Sequence, residues 1–441
     1  MAATHLAFDD TDSPEGMCTT YLACLMLEEF DDLDLIGLPR LVRLNPNVPW
    51  KTRGNAAVCL SLGTGSGRST VCGGLRTGAV RSYPEGRAVD PGAVMRRAVK
   101  VLRENARFEC EKTNPGIVVS NSRPSPSFYW RTVRQVVKRP EAEEAVRKAH
   151  GIRRGFKNGR GVIGATAAMS WRPRDRTWEV IAYREPSRFG SERDVDTRSV
   201  ISMDRATRHT FNNYDAENGH VAIVPGSPCP ILFGIRGDSA PELLRARKMI
   251  RGEPQDRWLL YLSNQGTEDH IARRRVRDLG PWLSASVRAE VARRPRTLAG
   301  GHVIVNIHDG DAIDAAFYEP SRSLRDVARS LIPGDEVRVI GSVRDVPRSL
   351  NVEKLEVVSL ADDIRKAHNP LCARCGKRMG SMGSGKGYRC KRCGSHSPPE
   401  AAEMTAVPRR VSVGWYEPPV SSRRHLHKPI RRMSKGIINK I

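Results

Sequence analysis

Four cysteines in the C-terminal part of the chain have the type and spacing of metal ligands. The pairs Cys372-x2-Cys375 and Cys390-x2-Cys393 are separated by 14 residues, and a glycine follows each pair. This spacing lets both thiolates of a pair face one tetrahedral Zn²⁺, and four cysteine ligands leave no open position for substrate, so the predicted zinc ribbon is structural. Basic residues in the same stretch would give the ribbon a phosphate-binding surface: Lys377, Arg378, Lys386, Arg389, Lys391 and Arg392.

Three aspartates near the start of the chain could bind a divalent cation. Asp9, Asp10 and Asp12 follow the strand-like segment HLAF, and the sequence GMCTT, which contains Thr19, leads into a helical pattern. The turn between them can bring the carboxylates toward one Mg²⁺ that bridges nucleotide phosphates, and a helix N-terminus favours a phosphate. The alternative is ordinary turn chemistry, with Thr19 as a helix N-cap.

The hydrophobic pattern predicts a multidomain α+β protein. Residues 1–150 predict an α/β unit, in which Ser61–Pro91, rich in Gly, Ser, Thr and Arg, reads as a long loop. Residues 151–280 predict a compact α+β unit. Residues 281–363 predict five short strands with a helix after the third, the order of an OB-fold β-barrel. Residues 364–441 hold the zinc ribbon and a basic tail.

A glycine motif in the second unit resembles a dinucleotide-binding fingerprint. Gly159-x-Gly161-x-x-Gly164 has the required spacing, but the residues before it, RRGFKN, are basic and polar rather than an apolar strand. A Rossmann site is therefore not expected. The glycines are predicted instead to bring a helix start close to another backbone or to RNA phosphates.

The charge of the chain indicates a polyanionic partner. The net charge is +24, and residues 364–441 carry 18 Lys and Arg against three acidic residues. Such an excess is typical of nucleic-acid binding. No stretch approaches the roughly 18 apolar residues of a membrane span, the acidic start is not a signal peptide, and the other six cysteines lack disulfide spacing, so a reducing cytoplasm is expected.

The motifs, taken as a set, resemble those of the archaeal tRNA(Ile) 2-agmatinylcytidine synthetase family. They run in the family's order: FDDTDSPEGMCTTYLA, RLVRLNPNVPWKTRGNAAV, EKTNPG, GRGVIGATAA, IAYREPSRFGSER, PCPILFGIRG, the zinc ribbon and RRHLHKP. The resemblance covers nearly the whole chain, except for Ser61–Arg107 and His396–Trp415. It implies a threonine-centred kinase-like catalytic domain, a ferredoxin-like domain, an OB-fold and a zinc ribbon.

The resemblance also implies a reaction. Agmatine would be attached to C2 of the wobble cytidine 34 of tRNA-Ile with a CAU anticodon, so that AUA is decoded, and ATP would yield AMP and two phosphates. Asp9, Asp10 and Asp12 would hold Mg²⁺ and the ATP phosphates, and Thr19 would be phosphorylated. No membrane and no obligatory protein partner are implied.

Further site residues follow from the family motifs. Candidates for phosphate and base contacts are Lys51, Arg53, Asn55, Lys112 and Asn114. The agmatine guanidinium needs a carboxylate, for which Asp215 and Asp238 are candidates, with Arg236 beside the latter. Asn264 and His270 could face the tRNA or the nucleotide, or could be structural.

Two other classes of function remain open at this point. An OB-fold with a zinc ribbon is common in non-catalytic proteins that bind single-stranded nucleic acid. Three aspartates could also serve a magnesium-dependent nuclease. Dependence on ATP separates the ligase from both.

Overall fold

The computed structural model describes residues 3–433. The first part of the chain contains nine strands and four helices. The strands are β1 (Thr4–Asp9), β2 (Asp34–Ile36), β3 (Arg40–Arg43), β4 (Ala56–Ser66), β5 (Thr70–Leu75), β6 (Gly78–Tyr83), β7 (Glu85–Arg87), β8 (Gly116–Ser120) and β9 (Ile152–Gly155). The helices are α1 (Thr19–Glu29), α2 (Pro91–Asn105), α3 (Pro126–Arg134) and α4 (Arg139–Lys148).

The second part continues the same sheet. Its elements are α5 (Gly161–Ser170), β10 (Thr177–Tyr183), α6 (Thr197–Ala206), β11 (Thr210–Phe211), β12 (Tyr214–Asp215), β13 (His220–Val221), β14 (Ile231–Gly237), α7 (Ala240–Met249) and β15 (Arg257–Ser263). One sheet runs in the order β11-β14-β10-β15-β5-β6-β2-β4-β1-β8-β9, with β3 bridging β4 and β15. One apolar core, from Leu6 to Tyr261, lies under both parts, and a second, from Ala7 to Leu426, also contains residues of both.

The prediction of a loop at Ser61–Pro91 is wrong. This stretch holds most of β4 and all of β5, β6 and β7, and β5 pairs with β15 of the second part through Gly73↔Leu259 and Gly74↔Trp258. A Cβ on Gly74 would lie 2.5 Å from the Trp258 ring. The glycines that suggested a loop are thus small residues that make room for large side chains of the neighbouring strand.

The third part is a closed barrel. Its elements are β16 (Ile271–Arg273), β17 (Ser284–Val291), β18 (Arg296–Thr297), β19 (Val303–His308), β20 (Ala312–Phe317), α8 (Ser323–Arg329), β21 (Glu336–Arg344) and β22 (Ser349–Ser359). The ring β17-β21-β22-β20-β19 closes because β19 also pairs with β17. The predicted order, five strands with a helix after the third, is confirmed, and the barrel has its own apolar core.

The last part contains small strands and a returning tail. They are β23 (Ile364–His368), β24 (Gly380–Ser381), β25 (Tyr388–Arg389), β26 (His396–Ser397), β27 (Glu403–Ala406), β28 (Gly414–Tyr416) and α9 (Ile430–Met433). Strand β28 joins the barrel through β22. No helix within residues 3–433 is both long and apolar enough to span a bilayer.

Candidate active site

The turn between β1 and α1 places the aspartates and Thr19 at one end of the sheet. Strand β1 is central, paired with β4 on one side and β8 on the other, and Asp9 is its last residue. Helix α1 begins at Thr19; Cys18 is the N-cap residue and supplies no side-chain cap. The first-turn N–H groups therefore have no side-chain acceptor at the cap, a geometry that suits an anion.

Thr19 is buried beside the turn that follows β1. Its Oγ1 accepts a hydrogen bond of 3.1 Å from Thr11 Oγ1, and the side chain of Thr19 also lines a cavity. Because the hydroxyl reaches both the cavity and the helix N-terminus, it is placed where a phosphoryl group would meet free N–H donors.

Two of the three aspartates are paired with arginines. Asp10 accepts a hydrogen bond from Arg160 Nε at 2.6 Å, and Asp12 accepts one from Arg53 Nε at 3.0 Å. Asp9 has no such partner among the described residues. Burial, followed by the neighbouring charge of Asp10, raises the pKa of Asp9 well above its ordinary value.

Helix α5 passes unusually close to this carboxylate because it carries glycines. A Cβ on Gly164 would lie 1.8 Å from Asp9 Oδ2, and a Cβ on Gly161 would lie 2.3 Å from the backbone nitrogen of Gly116. The prediction that the glycine motif brings a helix start close to another backbone is confirmed. The motif follows no strand with the Rossmann arrangement, since the short β9 before it is exposed throughout.

A cavity of about 460 Å³ opens beside Thr19. A smaller one of about 80 Å³ is lined by the aspartates, and the two share Asp12, Arg53, Asn55 and Ala56. The two cavities form one site with a narrow acidic end and a wide end that extends under the second part of the chain.

The C-terminal tail forms one wall of the wide cavity. Its segment Val420–His425 includes five residues that line the cavity, among them Arg423 and His425. Ser421 N donates to Asp215 at 2.9 Å, and Arg423 donates to Asn212 at 2.9 Å, which fastens the tail to the second part. Sequence reasoning left this tail unassigned, because nothing in RRHLHKP indicates a partner in a distant part of the chain.

The predicted site residues fall into two groups. Those that line one or both cavities are Asp9, Asp10, Asp12, Thr19, Lys51, Arg53, Asn55 and Arg236. Those that line neither are Lys112, Asn114, Asp215, Asp238, Asn264 and His270. The fold thus gathers the first group, drawn from distant motifs, around one space.

Lys112 and Asn114 lie in the loop behind the aspartates. The carbonyl oxygen of Lys112 accepts hydrogen bonds from Thr52 and Arg160, and the buried Asn114 side chain donates to the carbonyl of Glu111. These contacts hold the loop that orients Arg160, so both residues support the site through their backbone and local bonds.

The two candidate anchors for the guanidinium already have partners. Asp215 accepts hydrogen bonds from Glu217, Asn218 and Ser421; although burial opposes it, these bonds lower the pKa of Asp215 to about 2. Asp238 accepts a bond of 2.8 Å from Arg432 of α9. Both carboxylates therefore fasten the C-terminal tail.

Asn264 and His270 join parts of the fold. Asn264 is fully buried and exchanges two hydrogen bonds with the backbone of Arg43, at 2.7 and 2.8 Å. His270 is buried, and its Nε2 lies 3.4 Å from Glu353 of the barrel. Their surroundings favour the structural alternative.

Glu179 is a cavity residue that the sequence analysis missed. It lies on β10, and its Oε1 accepts a bond of 3.3 Å from Arg236. Its Oε2 is buried, has no hydrogen-bond partner within residues 3–433, and lies 3.6 Å from Arg43. The available signal was a glutamate inside the apolar strand WEVIAY, since burying a carboxylate is costly unless a charged partner offsets the cost.

The predicted zinc ligands converge. Within residues 3–433, the four cysteines Cys372, Cys375, Cys390 and Cys393 are the one group of three or more potential ligand residues whose ligand atoms all lie within 4.8 Å of one another. Gly376 and Gly394 have φ of +69° and +75°, as the knuckle turns require. The donor set and its geometry fit a structural Zn²⁺. The three aspartates do not converge in this way.

Three family models match the chain. The TiaS TCKD domain matches residues 5–155, the TiaS FLD domain residues 159–270, and the TiaS C-terminal zinc ribbon domain residues 369–411. The isoleucine-tRNA 2-agmatinylcytidine synthetase TiaS of Methanosarcina mazei is 40% identical, with 97% of each chain covered. That of Methanocaldococcus jannaschii is 36% identical over 98% of this chain and 99% of its own.

Solved structures agree with these relatives. The crystal structure of TiaS in complex with its isoleucine tRNA and ATP superposes with a TM-score of 0.84 at 36% identity, covering 98% of both chains. The complex of TiaS with the same tRNA, AMPCPP and agmatine superposes with a TM-score of 0.82 at 33% identity, again covering 98% of both. The likeness therefore extends over all four parts of the fold.

Proposed function

Because this chain belongs to the isoleucine-tRNA 2-agmatinylcytidine synthetase family, we propose that it is an ATP-dependent ligase that attaches agmatine to C2 of cytidine 34 of tRNA-Ile with a CAU anticodon. The observation that carries the proposal is the two-part cavity. It brings Thr19 and the aspartates to one wall and the buried carboxylate of Glu179 to another, in a chain that resembles complexes with tRNA, an ATP analogue and agmatine over its full length.

The proposal includes a division into four domains. A threonine-centred kinase-like domain would occupy residues 1–150, a ferredoxin-like domain 151–280, an OB-fold 281–363, and the zinc ribbon with its tail 364–441. The matched ranges 5–155, 159–270 and 369–411 support these boundaries. The barrel closure and the helix after its third strand support the OB-fold assignment.

The chemistry requires that O2 of the cytosine become a leaving group. Phosphorylation of O2 achieves this: the neutral amine of agmatine forms the C2–N bond, the C2–O2 bond breaks, and O2 departs in one of the two phosphates released with AMP. Thr19 would carry a phosphoryl group in this sequence. Its buried hydroxyl at the N-terminus of α1 supports that role, because free N–H groups stabilise phosphate charge.

The aspartates would hold the Mg²⁺ that neutralises the charge of the ATP phosphates. When bound, Mg²⁺ supplies neutralisation of phosphate oxygens. Asp9, Asp10 and Asp12 would hold it, and since Mg²⁺ usually takes one or two carboxylates together with phosphate oxygens, full convergence of the three is not required. The raised pKa of Asp9 supports a cation here, because a carboxylate crowded by another acid is stabilised by added positive charge.

The guanidinium of agmatine would bind at the wide end of the cavity. Glu179 is better placed for it than Asp215 or Asp238, because its side chain lines the cavity. Its Oε2 lies 3.6 Å from Arg43 but accepts no hydrogen bond from any described residue. A guanidinium presents N–H groups in a fork that matches a carboxylate. The residues that would contact phosphates or the base are Arg53, Asn55, Lys51 and Arg236.

The remaining domains would hold the tRNA while cytidine 34 leaves its stack. Extruding a base costs a few kcal/mol, which contacts elsewhere on the RNA must offset. The basic ribbon and tail supply positive charge for that purpose.

The decisive experiment combines purified protein with an unmodified tRNA-Ile(CAU) transcript, ATP, Mg²⁺ and agmatine, followed by nuclease digestion and mass spectrometry of the nucleosides. A cytidine that gains the mass of agmatine minus water, only with ATP, is the expected result. Unchanged cytidine on tightly bound tRNA would indicate a binding protein, and ATP-independent cleavage would indicate a nuclease.

A further inference from the structure

A groove lined with arginines begins beside the aspartate cavity. It has a volume of about 710 Å³, and Gln135, just after α3, lines both the groove and the cavity. Among the described residues, five arginines line this groove and no carboxylate does: Arg131, Arg134, Arg172, Arg174 and Arg274. The excess of positive charge makes it a site for an anion rather than for a neutral ligand.

A second basic groove continues from the first onto the barrel. It has a volume of about 890 Å³, and Arg274 lines both. Its walls carry five further arginines, among them Arg288 and Arg338, together with Asp278, Asp309 and Glu336. The shared residues make one furrow, here called the arginine furrow, that leads from the aspartate cavity to the barrel.

Among the described residues, four of the five arginines that line the first groove form no ion pair with a carboxylate. Arg172, Arg174 and Arg274 form no ion pair with a carboxylate within residues 3–433, and Arg274 Nε is buried without a hydrogen-bond partner. Arg134 uses its Nε for the backbone carbonyl of Asp269. Arg131 is the exception, since it is paired with Glu141. Within residues 3–433, Arg131 is thus the one arginine of the first groove that is paired with a carboxylate.

Trp130 holds two of the furrow's guanidinium groups in place. The guanidinium carbons of Arg134 and Arg174 both lie 4.6 Å from the centre of a Trp130 ring. Stacking on an aromatic ring fixes the plane of a guanidinium and leaves its N–H edge available for phosphate oxygens. An exposed guanidinium face can also receive an unpaired base.

We propose that the arginine furrow binds the sugar–phosphate backbone of the tRNA strand on one side of the target cytidine, and guides that strand from the aspartate cavity toward the barrel. The inference rests on the proposed function, because a polyanion must leave the cavity where its base is held. Of the two surfaces that border the aspartate cavity, the furrow is open, basic and continuous, whereas the wide cavity is closed on one side by the C-terminal tail.

The test is the salt dependence of tRNA binding by the double variant Arg172→Ala/Arg174→Ala. Each phosphate contact contributes about 0.7 to 0.9 to the slope of log Kd against log salt, so the loss of two contacts should lower the slope by about 1.4 to 1.8. The matched control is Arg68→Ala/Arg81→Ala, which removes the same charge from exposed positions on the β4–β6 hairpins. The slope for the control variant should change by less than the roughly 0.7 to 0.9 expected for the loss of one phosphate contact.

Arg172 also donates to backbone carbonyls at the end of α5, so the double variant is checked by thermal unfolding. The single variant Arg174→Ala removes no hydrogen bond between described residues and should lower the slope by about 0.7 to 0.9. Equal slopes for the furrow and control variants would overturn the inference. Modification of tRNA by the unaltered protein is measured separately. If the protein modifies tRNA but the furrow variants have the same salt slope as the control, the furrow proposal alone is rejected. If the protein does not modify tRNA but the furrow variants lower the slope as expected, the ligase proposal alone is rejected.

Discussion

The aspartate cavity and the zinc ribbon both hold functional side chains close together, but they do so by different means. Around the aspartate cavity, Asp10 and Asn55 adopt positive φ, at +57° and +46°, and Asn212 of the wide cavity does so at +57°. In the described ribbon, residues 369–411, positive φ occurs at glycines alone. Such φ values cost free energy in residues other than glycine and are retained where a surrounding scaffold enforces them.

The difference indicates where each region derives its stability. The cavity depends on the large shared core and tolerates strain and like charges close together, whereas the ribbon has a minute core built around Cys372, Met379, Tyr388 and Cys390 and depends on its metal. Substitutions in the cavity should therefore be able to change activity without unfolding the protein. Substitutions of the zinc ligands should unfold the ribbon and weaken RNA binding together.

The largest effect should come from Thr19→Ala. Loss of the hydroxyl should reduce cytidine modification by at least about 10³-fold, because groups that form a covalent intermediate cannot be replaced by binding energy. tRNA affinity measured by filter binding should be unchanged. Thr19→Ser, which keeps a hydroxyl, should retain measurable activity; loss of tRNA binding by Thr19→Ala would mean that the threonine is structural.

Cys372→Ser should have the next largest effect, on binding. A three-thiolate site holds Zn²⁺ less well, and without it the ribbon should unfold and its basic residues should no longer present a common surface. We expect tRNA affinity to fall at least about tenfold, or about 1.4 kcal/mol, with bound zinc measured by elemental analysis. Cys110→Ser, at a cysteine outside the cluster, is the control. Full tRNA affinity in a zinc-free protein would show that tRNA binding does not depend on the folded ribbon.

Gly164→Ala tests the close packing behind the aspartates. The added methyl group would lie 1.8 Å from Asp9 Oδ2, so α5 or the carboxylate must move. We expect a loss of about 1–3 kcal/mol in the free energy of unfolding, together with lower activity. Gly280→Ala, where the methyl group would meet its nearest atom at 3.8 Å, should be close to neutral in both measurements.

The smallest change in stability, and the one of opposite sign, should come from Asp9→Asn. The folded pKa of Asp9 is raised, so the wild-type protein loses stability as the pH rises above 3.8, the ordinary value at which the unfolded carboxyl ionises. The amide removes this loss. We expect Asp9→Asn to be on the order of 1 kcal/mol more stable at pH 7 and equal to wild type below pH 3.8, and to be inactive. A variant less stable than wild type at pH 7 would show that ionising Asp9 does not cost the folded protein free energy.

The sequence predicted the local features and missed the long-range ones. The four cysteines, the aspartate turn, the helix that begins at Thr19 and the strand order of the barrel all depend on neighbours in sequence, so spacing and periodicity predicted them. Thr19 was considered as an N-cap, whereas Cys18 takes that position. The strands within Ser61–Pro91 were missed because their glycines pack against partners on β15.

Long-range pairing also explains the missed cavity residues. Glu179 reaches the cavity because β10 packs against α1, where Tyr183 donates to the carbonyl of Thr20. His425 reaches it because Asp215 fastens the tail. The sequence has no local signal for His425, and the signal for Glu179, a glutamate within an apolar strand, does not identify its partners. The role of Asp215 also depends on long-range contacts. Its sequence context suggests a ligand anchor, but in the structure its carboxylate accepts hydrogen bonds from Asn218 and from Ser421 of the tail.

The wall formed by the C-terminal tail has a consequence for how the molecule matures. Arg423 and His425 complete a cavity that Asp12 also lines, so residues from the two ends of the described chain form one site. A chain that is clipped before Val420 should lack this wall of the cavity. During synthesis of the chain, the cavity therefore lacks one wall until the tail has been made.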